Sequence, residues 1–354
     1  MTMIREAQPT DNSYVYRQQV LNQLRTWLPY ESACFTLVDP DSLLSIGAVT
    51  DDRIERMHDR LFANEYLTED FNRYEALTKS ANPVASLHLA TEGNLGCSRR
   101  FREILEPAGF GDELRAVLMH QGKCWGFLTL FRSTDQALFS SHELEQLSVQ
   151  LPAIAQSLHA FTLAAPSSGS HMPTLEAAIL IVDENLELIS FNRTAEALLQ
   201  WLREQENIGP AILPRPIRAI CSQAQAETEG VHSPHNMLSN ARVGLRAPDG
   251  TYLTLQASRL SAESPQYAII SKRANPREVL TQLLDSYGLT LREQQLVRLL
   301  LHGDSTKQIA ESLCISVYTV QDHLKSIFAK TAVSSRRELV GLLLASYSLP
   351  YSVP

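Results

Sequence analysis

Residues 288–344 crowd together a series of local helix start and stop signals, and this run constrains the chain more than any other feature. Thr290-Leu291-Arg292-Glu293 reads as a capping box, in which the Thr290 hydroxyl accepts from the first turn and Glu293 reaches back. Leu296, Leu299 and Leu300 then share one face of a helix that His302-Gly303 ends. Ser305 caps a second helix with Ile309 and Leu313 four apart, and Ala310 offers a small side chain for close helix crossing. Cys314-Ile315 forms a turn, Ser316 caps a third helix running to about Lys330, and Ser335 with Glu338 boxes the start of a fourth.

The third helix sorts into faces by spacing. Val320, Leu324, Ile327 and Phe328 make a core stripe. Tyr318, Gln321, Asp322 and Lys325 make a polar stripe, and Thr319, His323, Ser326 and Lys330 run down the flank between them. A short helix, a tight turn and a polar-faced second helix describe a helix-turn-helix, whose second helix enters the major groove of DNA. The polar stripe would meet base edges, where Gln can pair with adenine and an acid can accept from cytosine. The flank residues Thr319, His323, Ser326 and Lys330, together with Lys307, would meet phosphates.

The segment resembles the DNA-binding domain of LuxR-type (GerE-like) transcription regulators along its whole length. The matching residues are Leu289-Thr290-Leu291-Arg292-Glu293, Gly303 to Ala310, Leu313-Cys314-Ile315-Ser316, Thr319 to Lys330, and Ser335 to Leu339. The resemblance implies an all-α four-helix domain over residues 289–348, with double-stranded DNA as its partner and RNA polymerase as a further partner class. Between residues 289 and 339, seven basic residues face five acidic ones, so the segment carries +2 while the chain total is −8. So weakly basic a module binds DNA poorly alone, which favours a homodimer on paired half-sites. Leu339, Val340, Leu343 and Leu344 offer an apolar edge for such a contact.

Upstream, the Pro/Ser/Gly-rich residues 164–174 read as a linker. Before it, Val20, Leu21, Leu24 and Leu28 have near-helical spacing, Ala33 to Asp39 reads as a strand, and residues 51–62 return to helix. Two apolar runs flank Gln121-Gly122-Lys123 as a hairpin. Ser140 and Glu143 then cap a long helix with Leu144, Leu147, Leu151, Ile154, Leu158 and Phe161 at threes and fours. This is an α/β pattern. Through Gly122 to Arg132, Phe139-Ser140 and the helix end Ile154 to Leu158, it resembles a GAF-type sensory domain over residues 12–163. The Asn-Lys-Phe-Asp-Glu pattern of cyclic-nucleotide-binding members is missing.

After the linker, strands flank the Val182-Asp183 turn, and a helix follows through Ala195 to Leu202. Strands at 243–246, 252–258 and 268–272 surround a turn at Pro248-Asp249-Gly250. The Val182-Asp183 turn and the helix start at Asn192-Arg193-Thr194-Ala195-Glu196 resemble a PAS-type α+β domain over residues 175–274. No flavin-adduct Asn-Cys-Arg-Phe-Leu pattern occurs, and no cofactor is expected. Residues 275–288, begun by Pro276 and ended by Gly288, read as a second linker.

Five scattered cysteines without CxxC spacing and no signal peptide point to a reducing cytoplasm. Residues 146–175 lack charge, but polar positions break them up, so no membrane span is expected. Cys34 and Cys124 are expected as buried packing, Cys314 as a small buried turn residue, and Arg99, Arg100 and Arg102 as a solvated helix face. His232 and His235 lack ligand partners at metal spacing and read as loop. His58, His88, His120 and His142 lie too far apart in sequence to group. There is no paired-acid receiver site, no acyl-homoserine-lactone pocket pattern, no Gly-Gly-Asp/Glu-Glu-Phe motif and no ATP lid, so an enzyme is not expected. The combined expectation is a DNA-binding transcription regulator whose two upstream domains sense an unidentified small molecule or dimerise. The alternative is a helical protein-interaction module in a signalling scaffold.

Overall fold

The computed structural model describes residue 4 and residues 12–163, 176–228, 241–247, 251–260 and 266–346. The linker at 164–174, the turn Pro248-Asp249-Gly250 and the pair His232 and His235 lie outside the described residues. Both sheets belong to one compact unit and the helices from Pro276 onward to another, and each is described by itself.

The first sheet domain begins with α1 (Ser13–Arg25), capped by Asn12, whose buried Val20, Leu21 and Leu24 join the core with Leu28. β1 (Ser32–Val38) and β2 (Ser45–Thr50) follow. The helix expected over 51–62 breaks at Arg56-Met57 into α2 (Asp52–Glu55) and α3 (His58–Leu67). Next come α4 (Tyr74–Lys79), β3 (Val84–Ser86) and α5 (Leu87–Ala90). β4 (Phe110–His120) and β5 (Lys123–Ser133) form the expected hairpin through Gln121 and Gly122, at φ 50° and 77°. A two-residue turn with both φ positive matches the right-handed twist of its strands.

The sheet order is β2-β1-β5-β4-β3, and every strand pair in it is antiparallel. The domain expected as α/β is therefore α+β. Up to Leu163, where description stops, the charge-poor stretch from Gln146 is the later part of α6 (Ser141–Leu163), whose Leu147, Leu151, Ile154, Ala155 and Leu158 are buried in the sheet's core. Its apolar character serves packing, and no described helix is long and apolar enough to cross a membrane.

The second sheet domain contains β6 (Ala178–Val182), β7 (Leu188–Phe191), α7 (Arg193–Glu206), α8 (Arg215–Thr228), β8 (Arg242–Arg246), β9 (Tyr252–Arg259) and β10 (Tyr267–Arg273). Its order, β7-β6-β10-β9-β8, repeats that of the first sheet, and the pairs β7-β6, β6-β10 and β10-β9 are antiparallel. α8 has ten buried residues and lies where no helix was expected from the sequence. Two of them are arginines that tie the two sheet domains together. Arg215 bonds Glu206 at 2.7 Å and also pairs with Glu55, while Arg218 bonds Glu55 at 2.7 Å and Asp59 at 3.1 Å. Gly244 N donates to Asp39 Oδ2 across the same junction at 2.9 Å.

Arg100 corrects the solvated-face reading. Arg99 and Arg102 are exposed, but Arg100 is buried and bonds Glu113 through Nη2 at 2.7 Å and Nε at 3.0 Å. Charge pattern alone hid this, because its partner sits thirteen residues away on a strand.

The C-terminal unit consists of α9 (Pro276–Ser286), α10 (Leu291–His302), α11 (Thr306–Leu313), α12 (Val317–Thr331) and α13 (Arg336–Ser346). Residues 275–288, expected as a linker, are chiefly the helix α9. Asn275 and Glu278 form its capping box, and Leu280, Leu283 and Leu284 enter the core beside Leu296, Val297, Ile309, Val320 and Ile327. Its start and stop residues are legible locally, whereas its apolar interior takes its role from the helices it packs against.

Candidate nucleic-acid interface

Local signals shape this site closely. Thr290 and Glu293 form the expected capping box, Ser305 and Gln308 form another, and Ser316 accepts from Thr319 N. Gly303 ends α10 with φ 100°, a left-handed conformation that glycine adopts without steric cost. Cys314 ends α11 in the left-handed region with φ 52°. It is exposed, contrary to the buried-turn reading, because the turn reverses the chain at the surface.

On α12, Val320 and Ile327 are fully buried, while Leu324 and Phe328 are only half-buried, so the core stripe holds with a softer edge. Gln321, Asp322 and Lys325 are exposed together on the opposite face. Tyr318, the first residue of the expected polar stripe, stands beside them at 79% exposure. Thr319 and His323 are half-buried on the flank, and Lys307 is exposed on α11. Thr319 Oγ1 lies 2.9 Å from Ser316 Oγ at the helix start.

Lys325 Nζ lies 3.2 Å from Asp322 Oδ1, with both side chains about three-quarters exposed. Such an exposed pair contributes little to stability and opens at small cost when another partner arrives.

Lys330 is held differently. Its ammonium bonds Glu293 Oε2 at 2.7 Å, and Ser326 Oγ donates to Glu293 Oε1 at 2.6 Å. Glu293, which also closes the α10 capping box, thereby braces α10 to α12. Burial alone would raise its pKa, but the hydrogen bonds from Lys330, Ser326 and Thr290 outweigh that and hold it at about 2. The partners lie 33 and 37 residues from Glu293, so no local signal could have shown the brace. Two further arginines of the segment serve the scaffold. Arg292 donates to the Leu313 carbonyl, and Arg336 donates to the Asp304 carbonyl at 2.6 Å.

The apolar edge expected on the last helix is split. Leu339 and Leu343 are fully buried in the core, which leaves Val340 half-buried and Leu344 58% exposed. Positions four apart share a face, so 339 and 343 turn inward together and 340 and 344 outward. Among the described residues, no group of three or more His, Cys, Asp or Glu could hold a metal ion.

A capped short helix, a tight left-handed turn and a longer helix with an exposed polar stripe define a helix-turn-helix. Residues 288–343 match the family model for bacterial regulatory proteins of the luxR family, so the C-terminal helical domain is of LuxR type. That family comprises non-enzymatic DNA-binding regulators.

A monoamine regulon transcriptional regulator of Klebsiella aerogenes is 50% identical over 52 residues, which is 15% of this chain and 23% of that protein. The transcriptional activator protein ExaE of Pseudomonas putida is 44% identical over 57 residues, 16% of this chain and 27% of that one. The chain thus spans about a quarter of the length of these relatives. The crystal structure of Escherichia coli SdiA aligns over 96% of this chain and 92% of that one, at 10% identity and a TM-score of 0.32. That superposition is too loose to define either sheet domain.

Proposed function

We propose that the chain is a sequence-specific DNA-binding transcription regulator that acts as a dimer, with α12 as its recognition helix. The observation that carries this reading is the solvent-facing stripe of Gln321, Asp322 and Lys325 on a helix whose opposite face is locked into the core. In this reading those three residues meet base edges, while Lys307, Thr319 and His323 meet the phosphate backbone. Lys330 lies at the same flank and contributes mainly by fixing α12 through Glu293. The two upstream sheets, one GAF-like and one PAS-like, take the sensory role. Their shared strand order supports treating them as related modules.

Equilibrium binding of the full chain to a selected and a scrambled duplex, at several salt concentrations, tests the reading. Gln321→Ala should weaken the selected duplex by about 1–3 kcal/mol and spare the scrambled one. Lys307→Ala should weaken both equally and flatten the log–log salt slope by about one unit per half-site contact. If neither duplex binds above background, or if Gln321→Ala affects both alike, the assignment of α12 to base readout is wrong.

A further inference from the structure

Within the first sheet domain, β1, β2, α3, β4 and β5 enclose a cavity of about 50 Å³. Three of the polar atoms on the residues lining it, Ser45 Oγ, His58 Nδ1 and Arg115 Nη2, are buried without a hydrogen-bond partner among the described residues. Their residues are only 2%, 4% and 1% exposed. Buried polar atoms in native proteins are nearly always paired, so three around one space mark it for an occupant with matching atoms.

The chemistry of the three atoms fixes what the occupant must present. Arg115 can only donate. Arg215 Nε–H donates to His58 Nε2 at 3.0 Å, so that nitrogen is the acceptor and the ring proton sits on Nδ1. Burial, followed by the charges of Arg218 and Arg100, pushes the His58 pKa well below its usual value, so the ring stays neutral. The Ser45 hydroxyl can donate as well. The site is therefore rich in donors and calls for lone pairs.

The charges near the cavity already balance. Arg100 and Arg115 bond Glu113 at 2.7 and 3.1 Å, and Arg115 also bonds Glu65 at 2.7 Å. Two guanidiniums and two carboxylates leave no surplus positive charge to compensate an entering anion, which would lose its hydration without a counter-charge. Leu61, Phe127 and Phe131 supply apolar wall.

We propose that this cavity binds a compact, uncharged molecule bearing carbonyl or amide oxygens. The oxygens accept from Ser45, His58 and Arg115, and the hydrocarbon part lies against Leu61, Phe127 and Phe131. His58 offers one ring nitrogen to the occupant and holds Arg215 of α8 with the other, so occupancy is felt in the second sheet domain. This deepens the regulator reading by naming the chemistry of its signal, and it rests on that reading for its purpose, although binding itself requires no DNA.

Saturation-transfer NMR on the full chain, with acetamide as the probe and acetate as its charged counterpart, tests the site. Acetamide should bind saturably and acetate at least about ten-fold more weakly, as expected where an anion enters uncompensated. Ser45→Ala should weaken acetamide about five-fold, the worth of one neutral hydrogen bond. Acetamide should also slow hydrogen exchange in α3 and α8. Equal binding of acetate, indifference to Ser45→Ala in a folded variant, or no saturation up to about 100 mM would overturn the proposal, since four non-hydrogen atoms can reach millimolar affinity or better. The acetamide–acetate comparison needs no variant and decides the matter if Ser45→Ala fails to fold. A chain that binds acetamide but no duplex keeps this site and loses the regulator reading; one that binds duplex but not acetamide does the reverse.

Discussion

Replacing Glu293 by glutamine keeps the shape of the α10–α12 brace and removes its charge. The one remaining carbonyl oxygen would still accept from Thr290 N, but the Lys330 ammonium would lose its ionic partner, and the amide nitrogen facing Ser326 could no longer accept from its hydroxyl. Glu293 titrates near 2 in the folded chain against a reference of 4.5. At about 1.4 kcal/mol per pKa unit, the ceiling on the charged form's contribution is about 3 kcal/mol. The Lys330 side chain is about one-third exposed, so solvent screening reduces the expectation to about 1–2 kcal/mol. Because the folded pKa is depressed, this stability is complete above pH 4.5 and is lost as pH falls toward 2.

Hydrogen exchange on the full chain reads the effect locally, with the two sheets as internal controls. At neutral pH the amides of α10 and α12 in Glu293→Gln should exchange about 5–30-fold faster, with the β4–β5 hairpin unchanged. The difference from the unaltered chain should shrink between pH 4.5 and 2. Unchanged protection in both helices at neutral pH would refute the brace.

Ile327→Ala should destabilise the C-terminal unit by about 2–5 kcal/mol, while Leu324→Ala should cost less because its side chain is already half-buried; exchange protection across 291–343 measures both, and equal losses would contradict the packing. Gly126→Ala should lower the stability of the first sheet domain by about 1–3 kcal/mol, read by thermal unfolding followed through Trp125 fluorescence. A Cβ there would lie 2.8 Å from the Thr36 carbonyl oxygen and 2.9 Å from Leu158 Cδ1, so β1 or α6 must shift. An unchanged Tm would show that the neighbours yield freely.

Sequence alone determined whatever rests on near neighbours along the chain. The capping boxes at Thr290 and Ser305, the left-handed stop at Gly303 and the turn at Gln121-Gly122 depend on residues within a few positions of one another. The faces of α12 follow from helical spacing, so the candidate interface was legible before any packing was known. Tertiary structure decided what depends on residues brought together from afar. The linker over 275–288 became a helix because Leu280, Leu283 and Leu284 found the core of the C-terminal unit. Lys330 turned to Glu293, and Arg100 turned inward to Glu113. His58, one of four histidines that could not be grouped by spacing, gained a defined tautomer only because Arg215 reaches it from 157 residues away. A charged or polar side chain takes its role from the partner that replaces its water, and for these residues that partner lies beyond the reach of local pattern.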